Sequence, residues 1–488
     1  MILKQLLSET LYTCLRGDVN IPITDVVYDS RQVRPGSLFV CIRGFVSDGH
    51  RYIQKAIDAG AAAIVVEDAS TVTDGAVFLQ VSDSRLALAH ISATFFGKPA
   101  EKMTMIGLTG TKGKTTTAHM IKNILEKAGH TVGMIGTVGA FIGSEKLPTK
   151  NTTPESFELH ALFDKMYRAG CSHVVMEVSS QGLKQQRTAG IRFHVGAFLN
   201  LSEDHIGDGE HKDFDEYKAC KKLLVPQCNR MVINIDAPYG EEFLALSQNP
   251  VTVSAKGPAA LQANNCRNIW DGSLFGVTFD VTGLYSGQLT VSMPGIFNVE
   301  NALVAAAVAH LCGIDCKTVD EGLKTVSVKG RTQLIPGAVH GAVVLIDYAH
   351  NALSMESLLH MLKGYEPKRL ICLFGGGGNK PKQRRYDMGL IAGKYADLTV
   401  LTTDNPRFEA LADINAHIIE GLNVHGGNYK IIDDRQEAIE YLLDNAHTGD
   451  IIALIGKGHE TYQEIQGVKY PFCEEDIILN HLSSLINA

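Results

Sequence analysis

A glycine-rich segment with adjacent lysine and threonine residues is the clearest chemical feature of the sequence. It reads Gly107-Leu-Thr-Gly-Thr-Lys-Gly-Lys-Thr-Thr-Thr117. Glycines allow backbone N–H groups to converge on phosphate oxygens, and the start of a helix adds positive potential. A lysine there can reach the terminal phosphates, and a threonine hydroxyl can hold Mg²⁺. The segment predicts a nucleoside triphosphate site formed by Gly110, Thr111, Lys112, Gly113, Lys114, Thr115 and Thr116.

The residues on either side of this loop predict a strand and a helix that position it. Residues 103–108 form an apolar run, and apolar residues then recur at helical spacing from Met120 to Ala128, with Gly129 as the helix end. Further apolar strands are predicted at 132–135, 173–178 and 195–199. This pattern is typical of a mostly parallel sheet covered by helices, as in phosphate-loop ATPases.

Similar alternation on both sides of this region predicts an α/β protein of three domains. Apolar runs at 37–42 and 61–66, with a helix at 52–59, indicate a small α/β domain that ends near Lys98-Pro99. After Gly330-Arg331, a doubly wound, Rossmann-like domain is indicated by predicted strands at 343–347, 370–374, 398–402 and 451–455. With about 100 to 200 residues per domain, the 488 residues divide into 1–99, 100–332 and 333–488.

Composition and charge exclude several classes of function. A hydrophobic fraction of 45% and a charged fraction of 20% exclude disordered and fibrous proteins. The net charge of -8 gives no general attraction to nucleic acid or to anionic membranes. The ten cysteines occur singly, and neither a signal peptide nor a membrane span is visible. We therefore expect a cytoplasmic protein with reduced thiols that acts on small molecules. A monomer is a separate expectation.

Glu177 is a candidate metal ligand from its position alone. It follows the apolar stretch His173-Val-Val-Met, near the end of a predicted strand. Ligands of α/β sheets bind at the carboxyl ends of the strands, so this carboxylate is predicted to hold Mg²⁺. A salt-bridged or solvated glutamate is the alternative.

Several further motifs occur in one order along nearly the whole chain. They are Asn151-Thr-Thr-Pro154, Glu177-Val-Ser-Ser180, Asn200-Leu-Ser-Glu-Asp-His205, Tyr217-Lys-Ala-Cys-Lys221, Phe297-Asn-Val-Glu-Asn-Ala302, Gly330-Arg331, Asp347-Tyr-Ala-His-Asn351, Asp404-Asn-Pro-Arg407 and Gly456-Lys-Gly-His-Glu460. Together with the short Gly-Thr-x-Gly-Lys-Thr form of the phosphate loop, this series resembles the Mur ligase family. Leu108 stands where the usual nucleotide loop has glycine.

The resemblance implies roles for residues of the catalytic centre. His205 corresponds to a second Mg²⁺ ligand, and Lys221 to the lysine that the family carbamylates, with Lys222 as the alternative. Two Mg²⁺ ions would then be held by Thr115, Glu177, His205 and carbamylated Lys221, and catalysis would rest on Lys114, Glu177, His205 and Lys221. Asn301, Arg331 and Asp347 correspond to nucleotide contacts, which implies that ATP binds at a domain junction.

The first domain looks like the uridine-binding domain of the tripeptide-forming members of the family. The segments that carry this likeness are Tyr28-Asp-Ser-Arg31 and Asp48-Gly-His50. The resemblance implies that UDP-MurNAc-dipeptide contacts Tyr28, Ser30, Asn151, Thr152, Thr153, Ser179, Gln185 and Arg187. An arginine suits an anionic substrate because its planar fork binds carboxylate or phosphate through two hydrogen bonds.

The third domain carries residues that imply the identity of the incoming amino acid. Asp404-Asn405-Pro406-Arg407 resembles the signature of members that add meso-diaminopimelate, with Gly456 and Glu460 as further contacts. An arginine can pair with the second carboxylate of that amino acid, which L-lysine lacks. Lys380 stands where the family usually has an arginine that grips the amino acid, and an ammonium cannot form the same fork. L-lysine or another diamino acid therefore remains an alternative.

The resemblance implies ATP-dependent addition of meso-diaminopimelate to UDP-MurNAc-L-Ala-D-Glu through an acyl phosphate. A folylpolyglutamate synthetase is a rival, but it would lack the uridine motifs. A nicotinamide dehydrogenase is suggested by the run Gly375–Gly378, yet Lys380 occupies the last glycine position of G-x-G-x-x-G. A nucleotide-binding regulator would not need Glu177, His205 and Lys221 together.

Overall fold

A computed structural model describes residues 1–44, 47–207, 209–271, 274–335 and 340–486. The chain forms two compact units, one of Met1–Gln262 with Leu303–Thr318, the other of Ala263–Ala302 with Val319–Ala488. The sequence boundary at 332/333 falls inside the second unit, so the boundaries of the three domains stay a prediction. The predicted α/β class is confirmed, because three large sheets flanked by helices follow one another along the chain.

The first sheet has five strands in the order β1-β5-β4-β3-β2, of which β1 is antiparallel to its neighbour. The elements are α1 (Leu3–Leu6), β1 (Thr13–Arg16), β2 (Asp25–Val27), β3 (Ser37–Val40), α2 (Ile53–Asp58), β4 (Ala63–Val66), β5 (Val77–Gln80) and α3 (Ser84–Phe95). Every residue of β3 and β4 is buried, since both faces of the sheet are covered. Asp83 begins α3 by accepting hydrogen bonds from two backbone N–H groups of its first turn.

The phosphate-loop sheet follows in the same unit, with strand order β13-β12-β11-β6-β10-β7-β8-β9. Its elements are β6 (Thr104–Thr109), α4 (Lys114–Lys127), β7 (Val132–Gly136), β8 (Gly139–Ile142), β9 (Glu145–Leu147), α5 (Ser156–Arg168), β10 (His173–Glu177), α6 (Ser180–Lys184), β11 (Phe193–Phe198), α7 (Phe214–Lys222), β12 (Cys228–Asn234), α8 (Gly240–Leu246) and β13 (Val251–Ser254). Pairing is parallel from β7 to β13, whereas β8 and β9 form an antiparallel edge. The parallel sheet predicted from the apolar runs is confirmed, and it places the carboxyl ends of β6, β7, β10 and β11 along one edge.

The next elements are a ribbon and two helices that the sequence did not predict. They are β14 (Leu261–Trp270), β15 (Phe275–Gly283), β16 (Gly287–Val291), α9 (Phe297–Leu311) and α10 (Cys316–Lys324). The Tyr365 hydroxyl donates a 2.7 Å hydrogen bond to the backbone oxygen of Gly276 on β15. This buried bond fastens the ribbon within the second unit.

The last sheet has the strand order β17-β18-β22-β19-β20-β21, parallel except for β17. The elements are β17 (Gln333–Leu334), β18 (Val343–Asp347), α11 (Ala352–Lys363), β19 (Arg369–Phe374), α12 (Lys382–Tyr395), β20 (Leu398–Leu401), α13 (Leu411–Asn423), β21 (Tyr429–Ile431), α14 (Arg435–Asp444), β22 (Asp450–Ile455), β23 (Tyr462–Ile465), β24 (Val468–Pro471) and α15 (Glu474–Ile486). Apolar cores cover both faces of this sheet, which confirms the doubly wound arrangement.

Two general features of the structure concern helix length and the state of the cysteines. No helix among the described residues is both long and apolar enough to cross a membrane. All ten cysteines are free thiols, and five of them are buried.

Two buried histidines make the stability of the first unit dependent on pH. The ring nitrogens of His160 on α5 have no hydrogen-bond partner, and its ring lies edge-on to Phe163. Burial, helped by His90, lowers the pKa of His160 to about 4. Burial also lowers the pKa of His173 on β10 to about 4. In the unfolded chain both would titrate near the usual value of about 6.5.

We expect stability to fall as the pH drops from about 6.5 towards 4, because only the unfolded state takes up these protons in that window. At pH 4.5 each histidine should cost roughly 2 to 3 kcal/mol relative to pH 7. His160→Met removes one of the two groups, so urea denaturation should show a loss between pH 7 and 4.5 that is smaller by about this amount. An unchanged loss would contradict the assignment.

Candidate active site

The predicted phosphate loop connects the end of β6 to the start of α4. Gly113 precedes the helix with φ +83°, a left-handed conformation that favours glycine. The Lys114 Nζ donates hydrogen bonds of 2.7 Å to the backbone oxygen of Gly110 and 3.1 Å to that of Thr111. Desolvation lowers the pKa of Lys114. The loop therefore holds a desolvated ammonium at the start of a long helix, which is an arrangement suited to phosphate groups.

The segment after β11 clamps this loop. The Asn200 Oδ1 accepts a 2.8 Å hydrogen bond from the Lys112 backbone N–H, and its Nδ2 donates to the Lys112 backbone oxygen. The Thr111 Oγ1 accepts from the Ser202 backbone N–H and lies 3.1 Å from the Tyr217 hydroxyl. These bonds hold the conformation of the loop through residues almost a hundred positions away.

Glu177 ends β10 beside the loop and is 1% exposed. Its Oε1 accepts hydrogen bonds from the Thr115 Oγ1 at 2.9 Å and from the Thr137 backbone N–H at 3.0 Å. A side chain at Gly136 would place its Cβ 2.2 Å from this oxygen, so a larger residue there would displace the carboxylate. Carboxylate and hydroxyl oxygens thus meet where parallel strands end, and hard oxygen ligands are those that Mg²⁺ prefers.

Lys221 on α7 reaches the same loop from another direction. It is 1% exposed, and its Nζ donates a 2.9 Å hydrogen bond to the Gly110 backbone oxygen. Burial, followed by the proximity of Lys114, lowers the pKa of Lys221 well below its usual range. Lys222, the next residue, pairs with Glu242 instead. Of the two adjacent lysines, only Lys221 lies at the phosphate loop.

His205 lies near Lys221 but is exposed to solvent. Its ring centroid is 6.1 Å from that of Tyr217, and the Lys221 Nζ lies 4.6 Å from the same ring. The His205 Nδ1 is 3.0 Å from a carboxylate oxygen of Glu210. Across the described residues, no group of three or more His, Cys, Asp or Glu side chains is arranged to hold a metal. Metal binding here would need oxygens from threonine, a modified lysine or the substrates.

Two cavities in the same unit adjoin the residues predicted to bind the UDP-linked substrate. One, of about 500 Å³, is lined by Tyr28 and Ser30, and the other, of about 270 Å³, by Tyr28 and Asn151. The Tyr28 hydroxyl donates a 2.6 Å hydrogen bond to Glu158. Burial, then this bond, raises the pKa of Tyr28 above its usual range. Tyr28 is therefore a neutral donor shared by both cavities.

Arg187 connects several of the other predicted substrate residues. Its Nη1 donates a 2.8 Å hydrogen bond to the Thr153 backbone oxygen, and its Nη2 a 2.8 Å bond to the Gln185 Oε1. The Thr153 Oγ1 in turn donates to the Glu177 backbone oxygen. Sequence reasoning missed Glu155, which pairs with Arg187 at 3.5 Å and with Arg85 at 3.2 Å. Glu155 could have been found from the sequence, because it lies directly after the Asn151–Pro154 motif.

Thr152 and Ser179 have local partners of their own. The Thr152 Oγ1 lies 3.0 Å from the Thr137 Oγ1, whose other partner is Glu177. The Ser179 Oγ accepts a 3.0 Å hydrogen bond from the Gly182 backbone N–H and so begins α6. Ser179 therefore has a structural role in addition to its predicted contact with substrate.

A pocket of about 210 Å³ in the second unit contains most of the predicted amino-acid-binding residues. It lies at the carboxyl ends of β18, β19, β20 and β22, where ligands of such sheets bind. The predicted residues that line it are Lys380, Asp404, Asn405, Arg407, Gly456 and Glu460. Pro406 is not among the lining residues. Arg384 and Arg385, which were not predicted from the sequence, also line the pocket.

The arginines of this pocket differ in their partners. Arg407 has φ +50°, and its guanidinium donates to Glu464 at 3.1 Å and to the Gly378 backbone oxygen at 2.7 Å. A positive φ strains the backbone of a non-glycine residue, and strained residues of this kind are concentrated at functional sites. Arg385 is 2% exposed and forms two 2.8 Å hydrogen bonds to Glu409. Lys380 forms no ion pair with any residue that the structure describes, so its charge is available to a ligand.

Of the three predicted nucleotide contacts of the second unit, two lie on a strand and a helix, and Arg331 lies in a loop. Asp347 ends β18 and accepts 2.7 Å hydrogen bonds from the backbone N–H groups of Thr332 and Ala349. The Arg331 guanidinium lies 5.3 Å from the centroid of the Tyr348 ring, so Arg331 lies close to the carboxyl end of β18, where Asp347 is. Asn301 lies on α9, where its Nδ2 donates to Asn298.

The strand–loop–helix unit and the doubly wound sheet define a phosphate-loop α/β protein with a separate ligand pocket. Family models match residues 22–96 as "Mur ligase family, catalytic domain", 108–309 as "Mur ligase middle domain" and 330–458 as "Mur ligase, glutamate ligase domain". A relative from Caldanaerobacter subterraneus is 41% identical over 467 residues, which is 95% of each chain. Its name is UDP-N-acetylmuramoyl-L-alanyl-D-glutamate–2,6-diaminopimelate ligase. The chain belongs to the Mur ligase family and is an ATP-dependent ligase.

Solved structures agree with this fold. A ligase with the same name has a TM-score of 0.77 at 24% identity, covering 100% of this chain and 99% of that one. A MurF ligase from Thermotoga maritima in complex with ADP has a TM-score of 0.58 at 17% identity, covering 95% and 98%. At these identities the likeness establishes the fold alone.

Proposed function

We propose that the protein joins meso-2,6-diaminopimelate to UDP-MurNAc-L-Ala-D-Glu at the expense of ATP, as a step of peptidoglycan precursor synthesis. The observation that carries the choice of amino acid is the pocket at the strand ends, which contains the Arg407 guanidinium together with the carboxylates of Asp404 and Glu460. Such a pocket is complementary to a side chain that ends in both a carboxylate and an ammonium group. The nearly full-length relative named for this reaction supports the proposal.

The reaction proceeds in two steps. A carboxylate oxygen of D-glutamate attacks the γ-phosphorus of ATP, the bond to ADP breaks, and an acyl phosphate forms. The neutral amine of the amino acid then attacks the acyl carbon, expels phosphate and loses a proton, which leaves an amide. Phosphoryl transfer is catalysed mainly by positioning and charge neutralisation. Lys114 supplies the cation beside the transferred phosphate, in a loop that its neighbours hold rigidly.

The residues around Glu177 fit a Mg²⁺ ion. Its carboxylate and the Thr115 hydroxyl are hard oxygen donors already in contact, and Thr115 opens the helix that follows the phosphate loop. When bound there, Mg²⁺ would neutralise charge on the phosphate oxygens of ATP. His205 and carbamylated Lys221 would hold a second ion.

Carbamylation of Lys221 is favoured by its surroundings. Addition of CO₂ requires a neutral amine, which forms a bond to carbon and loses a proton to give a carbamate. Lys221 is enclosed, has no carboxylate partner among the described residues, and faces a backbone oxygen beside Lys114. A carbamate there would exchange repulsion between two cations for an attraction.

Residues of the first unit would bind the UDP-linked substrate. Tyr28 and Ser30 would contact the uridine end, and Arg187 would approach the anionic peptide from behind Thr153. We expect the protein to be a monomer. We also expect it to act in the cytoplasm, where ATP and nucleotide-linked sugars are available.

Arg407→Ala tests the identity of the amino acid. We expect the KM for meso-diaminopimelate to rise roughly ten- to a thousand-fold, since one charged contact is worth about 1.5 to 4 kcal/mol. The KM values for ATP and the UDP-linked substrate should change little. Lys382→Ala, an exposed cation at the start of α12, is the matched control and should behave like the wild type.

The unmodified protein should prefer meso-diaminopimelate to L-lysine by a wide margin. L-lysine lacks the second carboxylate, so Arg407 would lose its ligand contact and one cation of the pocket would remain without a counter-charge. Phosphate release should be measured with meso-diaminopimelate, L-lysine and L-ornithine in parallel. Equal or better turnover of L-lysine or L-ornithine would overturn the assignment of the amino acid and would leave the ligase class intact.

A further inference from the structure

Lys457 is a buried cation that the reaction above does not use. It follows β22 and is 0% exposed. Its Nζ contacts three oxygens, at 3.4 Å from the Asp404 Oδ1, 3.2 Å from the Asn405 Oδ1 and 3.3 Å from the Glu460 Oε2. All three acceptors belong to side chains that line the amino-acid pocket. Lys457 itself is not a lining residue, so it acts on the pocket from behind these side chains.

The same contacts determine which way the Asn405 amide points. Its Oδ1 accepts from Lys457 and also accepts a 2.9 Å hydrogen bond from the Glu464 backbone N–H. Its Nδ2 donates a 3.0 Å hydrogen bond to the Glu460 Oε2. The reversed amide would lose all three hydrogen bonds, because it would place its NH₂ group against two donors and its oxygen against the Glu460 carboxylate. Lys457 thus holds Asn405 and Glu460 in one arrangement.

Lys457 also determines the charge that this part of the pocket presents. Asp404 and Glu460 carry two negative charges, and Lys457 cancels one of them, which leaves a single negative charge for a ligand ammonium. Arg407 and Arg385 are each paired with a glutamate, so they add no net charge. Lys380 and Arg384 remain as two positive charges on the pocket wall.

This distribution matches one chemical class of ligand. A diamino dicarboxylic acid whose reacting amine is neutral carries two carboxylates and one ammonium. A diamino monocarboxylic acid would leave one cation of the pocket unmatched, and a dicationic ligand would need a second negative charge. An enclosed charge without a partner is costly, so the match favours the first class.

We propose that Lys457 is a positioning residue for the incoming amino acid, which orients Asn405 and Glu460 and leaves one negative charge to receive the distal ammonium. This inference rests on the proposed function. It identifies Lys457 as the group that makes the charge of the pocket complementary to meso-diaminopimelate. Lys457 acts through its three neighbours and has no direct contact with the reacting atoms.

Lys457→Met keeps the length of the side chain and removes its charge. We expect the KM for meso-diaminopimelate to rise roughly 10- to 100-fold, with the KM values for ATP and the UDP-linked substrate within about twofold of the wild type. Lys457→Arg keeps the charge and should recover most of the loss. Lys368→Met, an exposed lysine of the same unit, is the matched control. An unchanged KM for the amino acid, or an equal rise in all three KM values, would overturn the inference.

A pair of variants tests the charge role even if Lys457→Met does not fold. Glu460→Gln alone leaves Asp404 cancelled by Lys457, whereas Glu460→Gln with Lys457→Met leaves Asp404 as the one negative charge. The double variant should therefore have the lower KM for meso-diaminopimelate, although it lacks one more native residue. An equal or higher KM in the double variant would rule out the charge role. A wild-type protein that does not use meso-diaminopimelate at all would instead refute the proposed function, so the two failures are distinguishable.

Discussion

Lys114→Ala should lower the rate of ligation by at least about a hundred- to a thousand-fold, which is the loss that follows removal of one preorganised charge-stabilising group. The ammonium is desolvated, and among the described residues its hydrogen bonds go to backbone oxygens of the loop, so it contributes little ion-pair energy to the folded state. The loop itself is held by Asn200 and Ser202, which the substitution leaves in place. Activity should therefore be lost without unfolding.

The measurement is phosphate release under saturating substrates, together with a thermal denaturation curve. Lys127→Ala is the matched control, because it removes an exposed lysine from the last turn of the same helix. Its activity should equal that of the wild type. A Lys114→Ala protein that is folded and nearly as active as the wild type would exclude the phosphate-loop assignment.

Lys221→Ala should be almost inactive and should recover part of its activity when short carboxylates are added. Removal of the side chain leaves a space between α7 and the phosphate loop, which a formate or acetate ion can enter in place of the missing carbamate. The neighbouring Lys114 would attract such an anion, since its charge already acts on Lys221 and lowers the pKa of that lysine. Rescue should increase with carboxylate concentration until the space is filled.

Lys222→Ala is an internal control for this experiment, because it removes the adjacent lysine and only breaks a pair with Glu242 on the surface. We expect near wild-type activity and no response to carboxylates. If Lys222→Ala were inactive and rescued while Lys221→Ala were not, the assignment of the modified lysine would be wrong. Chloride at equal ionic strength would separate rescue from a general effect of salt.

Several strands that are buried on both faces could be predicted from the sequence. Strands such as β6, β10 and β22 are covered by helices on both sides, so they appear as continuous apolar runs between glycines and polar turns. The ribbon of β14 to β16 and the hairpin of β23 and β24 were missed. The exposed positions of β14 are polar, and β23 and β24 are stabilised by pairing with each other, which no local apolar run reveals.

The sequence by itself determined the residues whose chemistry is local to one strand, loop or helix. Lys114 and Thr115 belong to a contiguous motif, and the position of Glu177 follows from the end of its strand, so short-range pattern was sufficient for these candidates. The motif series likewise identified Asp404 and Arg407 as pocket residues, although it could not show that Glu464 neutralises that arginine.

Only the tertiary structure decided which charged groups are buried and what they face. Lys221 reaches the Gly110 backbone oxygen across 111 positions of sequence, whereas its neighbour Lys222 meets solvent and Glu242. Lys457 is enclosed because β20, β22 and β23 bring Asp404, Asn405 and Glu460 around it. A lysine in a sequence is read as a surface residue, since burying its charge is costly without partners. Those partners come from distant segments, so their convergence is a property of the fold and has no local signature.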